Sequence, residues 1–122
     1  MVPVKKILVV DDSPTERHVL TEFLTGKGYQ VVIADSGEAA VLLGKEELPD
    51  LILMDVVMPG MNGYQATRTL SRDEATRHIP IIMCTSKGQD TDKIWAMRQG
   101  AQDYLVKPLD HAALLAKIAA FG

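Results

Sequence analysis

Leu51-Ile52-Leu53-Met54 runs without a polar atom into Asp55, and Val56-Val57-Met58-Pro59-Gly60 follows. A short, unbroken apolar run bounded by Pro49-Asp50 and Pro59-Gly60 reads as a buried strand. A carboxylate is costly to bury unless it is paired, hydrogen-bonded or metal-bound. Asp55 is therefore expected where the strand ends and solvent begins. In parallel α/β sheets that end is where ligands bind.

The same pattern recurs along the chain. Lys5-Lys6-Ile7-Leu8-Val9-Val10 stops at Asp11-Asp12, Gln30 to Ala34 forms another run, and Pro80-Ile81-Ile82-Met83-Cys84 stops at Thr85. Asp103-Tyr104-Leu105-Val106 stops at Lys107-Pro108. Helical patterns alternate with these runs. Ser13 is read as an N-cap, Pro14 as the first helical residue and Glu16 as the return arm of a capping box. Val19, Leu20, Phe23 and Leu24 form that helix's apolar stripe, and Gly26 and Gly28 its stop. Asp35 or Ser36 caps a second helix with Ala39, Ala40, Leu42 and Leu43 on its apolar face. Asn62-Gly63 turns into a third through Tyr64, Ala66, Thr67 and Leu70. Ser86 to Asp90 reads as a polar loop before a helix containing Ile94, Trp95, Met97 and Arg98, which Gly100 ends. Asp110 caps the last, with Leu114, Leu115 and Ile118 inward.

Five strands alternating with five helices, the strands apolar throughout, predict a parallel sheet covered on both faces. The 122 residues fit one domain spanning 1–122, with no output module expected. A net charge of −3 argues against a nucleic-acid partner. No long apolar run suggests a membrane span, and no leader is visible. The single cysteine, Cys84, reads as an inert core thiol in a reducing compartment, so a cytoplasmic location is expected.

Right-handed crossovers bring the strand ends to one edge of the sheet. Asp11, Asp12, Asp55, Thr85 and Lys107 then converge. At about 4 Å and an effective dielectric near 20, each carboxylate pair repels by roughly 4 kcal/mol. A divalent cation or raised pKa values must relieve that. Mg²⁺ fits, because it takes one or two carboxylates and keeps waters for a phosphate. A carboxylate nucleophile, a metal, an ammonium and a hydroxyl are the parts of phosphoryl transfer onto Asp55.

Asp11-Asp12, Asp55 with Pro59 and Gly63 behind it, Thr85, and Tyr104 before Lys107-Pro108 resemble the receiver domain of two-component response regulators. The resemblance covers the whole chain. It implies a flavodoxin-like (βα)5 three-layer sandwich with strand order 2-1-3-4-5. It implies phosphorylation of Asp55 by a histidine kinase of the CheA-like type. It further implies Mg²⁺ on Asp12, Asp55 and the Val57 carbonyl, with Asp11 assisting through water. Thr85 and Lys107 would bind phosphoryl oxygens, Lys107-Pro108 would be cis, and Thr85 and Tyr104 would form a coupled switch. That switch repacks the face of the fourth helix, fifth strand and fifth helix for a protein target. The expected protein is a monomeric signalling phospho-acceptor rather than an enzyme. Two departures stand out: Ser86 replaces a smaller residue and is expected to narrow phosphoryl access, and Val57 is apolar beside the acceptor.

Asp12 to Glu16, Gly63 to Arg68, and Asp92-Lys93-Ile94-Trp95 with Arg98 to Ala101 look like single-domain, PilH-type regulators of type IV pilus and twitching chemotaxis-like systems; a stand-alone chemotaxis regulator of the CheY type and other single-domain receivers stay open. Trp95, flanked by Ile94 and Met97, reads first as core packing; if exposed, it is a partner anchor on the output face with Tyr104. His18, His78 and His111 show no ligand spacing. Two roles fit a receiver without an effector: driving an output, or draining phosphate from a sister regulator. A rival is a binding module that works unphosphorylated. A dehalogenase-type phosphatase is disfavoured, since Val57 stands where its second acid belongs. A dinucleotide or P-loop protein is disfavoured, since neither glycine fingerprint is present.

Overall fold

The computed structural model describes residues 3–86 and 90–121. Residues 87–89 of the expected polar loop lie outside the described residues. The elements in order are β1 (Lys6–Val10), α1 (Pro14–Gly26), β2 (Gln30–Ala34), α2 (Gly37–Glu47), β3 (Leu51–Asp55), α3 (Gly63–Arg72), β4 (Ile81–Thr85), α4 (Asp90–Arg98), β5 (Asp103–Val106) and α5 (His111–Ala119). The strands make one parallel sheet in the order β2-β1-β3-β4-β5. This is the expected flavodoxin-like arrangement.

The alternation of side chains along each strand divides the core in two. Ile7, Val9, Leu51, Leu53, Ile82 and Cys84 pack with Leu20 and Leu24 of α1 and Leu114 and Ile118 of α5. Leu8, Val10, Ile52, Met54, Ile81 and Met83 pack with Ala40, Ala66, Leu70 and Ala96 from α2, α3 and α4. Burying each large side chain contributes about 1.5–3 kcal/mol. Every residue of β3 and β4 is buried, so these strands form a rigid base for whatever sits at their ends.

The helix starts follow local chemistry. Ser36 accepts from the Ala39 N–H at 3.1 Å, and Asp110 from the Ala112 N–H at 3.0 Å. Asn62 and Gln65 form a reciprocal capping box, each bond 2.9 Å, where the sequence reading saw only a turn. The box expected at α1 is half formed. Ser13 accepts from the Glu16 N–H at 3.3 Å, but the Ser13 N–H donates to Asp11 Oδ1 at 2.9 Å. The Glu16 carboxylate instead accepts from Lys107, because a charge-assisted bond to ammonium outcompetes a neutral amide. Helix α1 runs through Gly26, and Lys27 is its C-cap; Gly28, at φ +93°, makes the exit turn. Val19 and Leu42, expected on apolar stripes, are 48% and 57% exposed. Both sit at the edge of a stripe whose centre is occupied by Leu20 or Ala40.

Candidate functional site

Register assembles the site. Val10 pairs with Met54, so the residues one step further, Asp11 and Asp55, lie side by side beyond β1 and at the end of β3. Asp55 pairs with Cys84, which puts Thr85 one step further out on β4. Thr85 pairs with Val106, so Lys107 leaves β5 at the same edge. The Lys107 N–H donates to the Thr85 carbonyl at 2.6 Å, and the Lys107-Pro108 peptide is cis, as expected.

Asp11, Asp55 and Thr85 are buried, while Asp12 is exposed. Carboxylate oxygens of Asp11, Asp12 and Asp55 lie within 4.8 Å of one another. Lys107 Nζ reaches Asp11 Oδ2 at 3.0 Å, Asp55 Oδ1 at 3.1 Å and Glu16 Oε2 at 2.7 Å. Asp55 Oδ1 also accepts from the Val56 N–H at 3.0 Å. Both bonds fall on one oxygen, which fixes the carboxylate's rotation. Asp11 is held at both oxygens, by Ser13 and Lys107, while Arg17 Nη1 donates to its backbone carbonyl at 2.8 Å.

Burial, then the negative charge of Asp11, pushes the Asp55 pKa up to about 6; the bond from Lys107 opposes but does not cancel this. Burial by itself lowers the Lys107 pKa, but its bonds to Glu16, Asp11 and Asp55 prevail and raise it above the ordinary lysine range. The Cys84 thiol is pushed up to about 12 by burial, which suits an inert core group. Three carboxylates, two of them buried and crowded enough to repel, are a set of hard oxygen donors that matches the donor chemistry of Mg²⁺.

The loop after Asp55 is anchored from two sides. The Gly63 N–H donates to the Val56 carbonyl at 2.9 Å, and a Cβ at Gly63 would overlap the Asp55 carbonyl oxygen. Glu38 accepts from the Met61 N–H at 2.8 Å. Val57 projects outward at 62% exposure. Neither anchor was identified as such in the sequence; for Glu38, nothing in local spacing signals a partner 23 residues away.

The core reading of Trp95 is corrected. It is 50% exposed, with Ile94, Met97 and Val106 also exposed. Its ring meets Tyr64 edge-on at 6.3 Å between centroids. Among the described residues of α4, Ala96 is the one that is buried, and its neighbours Ile94, Trp95 and Met97 turn outward. Tyr104 is half-buried against the α2–α3–α4 core, its Cα paired with Met83.

Lys107→Ala leaves two buried carboxylates without their ammonium. We expect a loss of roughly 3 kcal/mol in metal-free buffer, with Mg²⁺ restoring more stability than it adds to the wild type. Urea unfolding with and without Mg²⁺ measures both; an unchanged midpoint would show that Lys107 does not neutralise the cluster.

Among the described residues, no helix is long and apolar enough to cross a membrane. The chain is 54% identical over 113 residues to protein PilH of Pseudomonas aeruginosa, covering 93% of each. It is 41% identical over 113 residues to response regulator PleD of Caulobacter vibrioides, covering 93% of this chain but 25% of PleD. The chemotaxis protein CheY4 of Vibrio cholerae superposes with a TM-score of 0.91 at 29% identity, over 98% of this chain and 99% of that one. The receiver domain of sensor histidine kinase PA1611 from P. aeruginosa, with a magnesium ion coordinated in its active site cleft, superposes at 0.89 with 33% identity and 97% coverage of both. Residues 7–119 match the response regulator receiver domain. With the strand order, the acidic cluster and this match in agreement, the chain belongs to the response regulator receiver domain family.

Proposed function

We propose that this protein is a phosphorylation switch in which Asp55 takes a phosphoryl group from a histidine kinase, with Mg²⁺ bound by Asp12, Asp55 and the Val57 carbonyl and assisted by Asp11. The observation that carries this reading is the Asp55 carboxylate, oriented 3.1 Å from Lys107 within the three-carboxylate cluster. Mg²⁺ supplies charge neutralisation on the transferring group. An Asp55 oxygen forms the new bond to phosphorus as the bond to the donor's leaving atom breaks and takes the electron pair away. Lys107 and the Thr85 hydroxyl bind phosphoryl oxygens. The buried scaffold holds the acceptor in line, which is most of what this chemistry needs from a protein.

The switch then runs from Thr85 to Tyr104 and out to the α4-β5-α5 face. Exposed Ile94, Trp95, Met97 and Val106 give that face the apolar anchors that a protein target needs. Similarity to PilH over 93% of that protein's length, together with the surface strings around Asp12, Gly63 and Trp95, supports a single-domain regulator of type IV pilus and twitching motility.

The test is intact-protein mass after incubation with acetyl phosphate, with and without Mg²⁺. The expected result is one Mg²⁺-dependent phosphate. No adduct, together with no response to a beryllofluoride analogue, would overturn the reading and favour a module that works unphosphorylated.

A further inference from the structure

Lys107 has three ammonium hydrogens and three carboxylate partners: Asp11, Asp55 and Glu16. It therefore reaches the resting state fully engaged. Binding an incoming phosphoryl oxygen requires that one of the three partners let go. Asp11 is ill suited, because its side chain is 3% exposed and would be stranded without a counter-charge. Asp55 is the acceptor itself. The Glu16 side chain is 49% exposed, so water takes over its oxygens as soon as the ammonium leaves. Its contact, at 2.7 Å, is also the shortest of the three.

An acidic residue in the first turn of a helix is usually explained by the helix dipole or a capping box. Neither explains where this carboxylate goes. It turns from the Ser13 N–H, which is satisfied by Asp11, and spans 91 residues of sequence to Lys107.

We propose that Glu16 is a displaceable latch on Lys107: it holds the ammonium in the resting protein and must release it before Lys107 can engage the phosphoryl group. This rests on the phosphorylation reading above and adds a control on its rate. Glu16 acts through Lys107 and is a positioning residue. Because the pair is made only in the resting state, its removal lowers the barrier to phosphorylation. Hydrolysis begins with Lys107 already on the phosphoryl group and with Glu16 released, so it gains nothing.

The test compares wild type, Glu16→Gln and Glu16→Asp with acetyl phosphate and Mg²⁺. Phosphorylation is followed at limiting donor, and phosphate loss is followed after the donor is removed. We expect Glu16→Gln to phosphorylate about two- to fivefold faster, the span of a partly exposed ion pair, with its rate of phosphate loss unchanged. Glu16→Asp keeps the charge but shortens the arm, so a latch makes it behave like Gln. Equal phosphorylation rates in wild type and Glu16→Gln overturn the latch, as does a parallel change in both rates. Wild-type behaviour of Glu16→Asp overturns it in favour of simple charge repulsion of the donor. Failure of the wild type to take up phosphate at all is a different result and overturns the underlying reading instead.

Discussion

Asp55→Asn is expected to take up no phosphate from acetyl phosphate while becoming more stable in metal-free buffer. The first effect follows from chemistry, since an amide oxygen of a neutral side chain is no nucleophile for phosphorus at neutral pH. The second follows from the price of holding the charge. The folded carboxyl titrates at about 6 against 3.8 for the unfolded chain, because burial and Asp11 disfavour ionisation. Between those values the unfolded chain has already lost a proton that the folded chain keeps. Stability therefore falls as pH rises from about 4 to about 6, and the full penalty, roughly 3 kcal/mol, remains above that window. Asparagine has the same shape and no charge, so the penalty disappears. Other carboxylates titrate in both proteins, and the difference between wild type and variant isolates Asp55. Urea midpoints at pH 4 and pH 7 supply the measurement. If the variant loses as much stability as wild type over that interval, Asp55 is not the strained group. If it still takes phosphate, the acceptor lies elsewhere.

Gly63→Ala should damage fold and acceptor together. By helix propensity alone the change gains up to about 1 kcal/mol, since Gly63 opens α3. The contact decides otherwise. The new methyl would overlap the Asp55 carbonyl oxygen and lie 2.9 Å from Val56 Cα, and both are backbone atoms that cannot swing aside. Forcing a methyl into such a space costs about 3 kcal/mol. Relief comes by pushing the end of β3 outward, and a displacement near 1 Å costs about a hundredfold in a positioned reaction. We expect a lower urea midpoint and phosphorylation slowed by about that factor. Gly26→Ala is the control: a Cβ there meets nothing within 4 Å, and stability should hold or rise slightly. If Gly63→Ala matches that control, close packing behind Asp55 is not what positions it.

The central strands β1, β3 and β4 were legible because their cores are uninterrupted apolar runs, and buried parallel strands admit little else. The convergence of Asp11, Asp55, Thr85 and Lys107 was legible for the same reason: each ends or follows such a run, and topology supplies the rest. What failed was anything decided by competition over long range. Glu16 has the spacing of a capping box, but its partner is fixed by the position of Lys107 after the last strand. Asn62 and Gln65 have no such competitor, and there the local rule holds. Trp95 was misread because apolar periodicity does not say which of Ile94, Trp95, Ala96 and Met97 faces inward. In the structure small Ala96 takes the buried place, fully covered, and the large side chains remain outside.

Strand β5 is the shortest of the five and lies at the edge of the sheet, with none of its residues buried. The residue that follows it is Lys107. The ammonium that balances Asp11 and Asp55 is thus carried by the strand with the least to hold it, while the acids sit on the central ones. Edge strands open locally at lower free energy than central ones. Each such excursion strips the cation from the acids and leaves them in mutual repulsion, which drives the strand back. Amide exchange along Asp103–Val106 is therefore tied to the charge at the strand ends. Whatever binds those acids must change the protection of β5, and by linkage the pairing of β5 must change how tightly it binds.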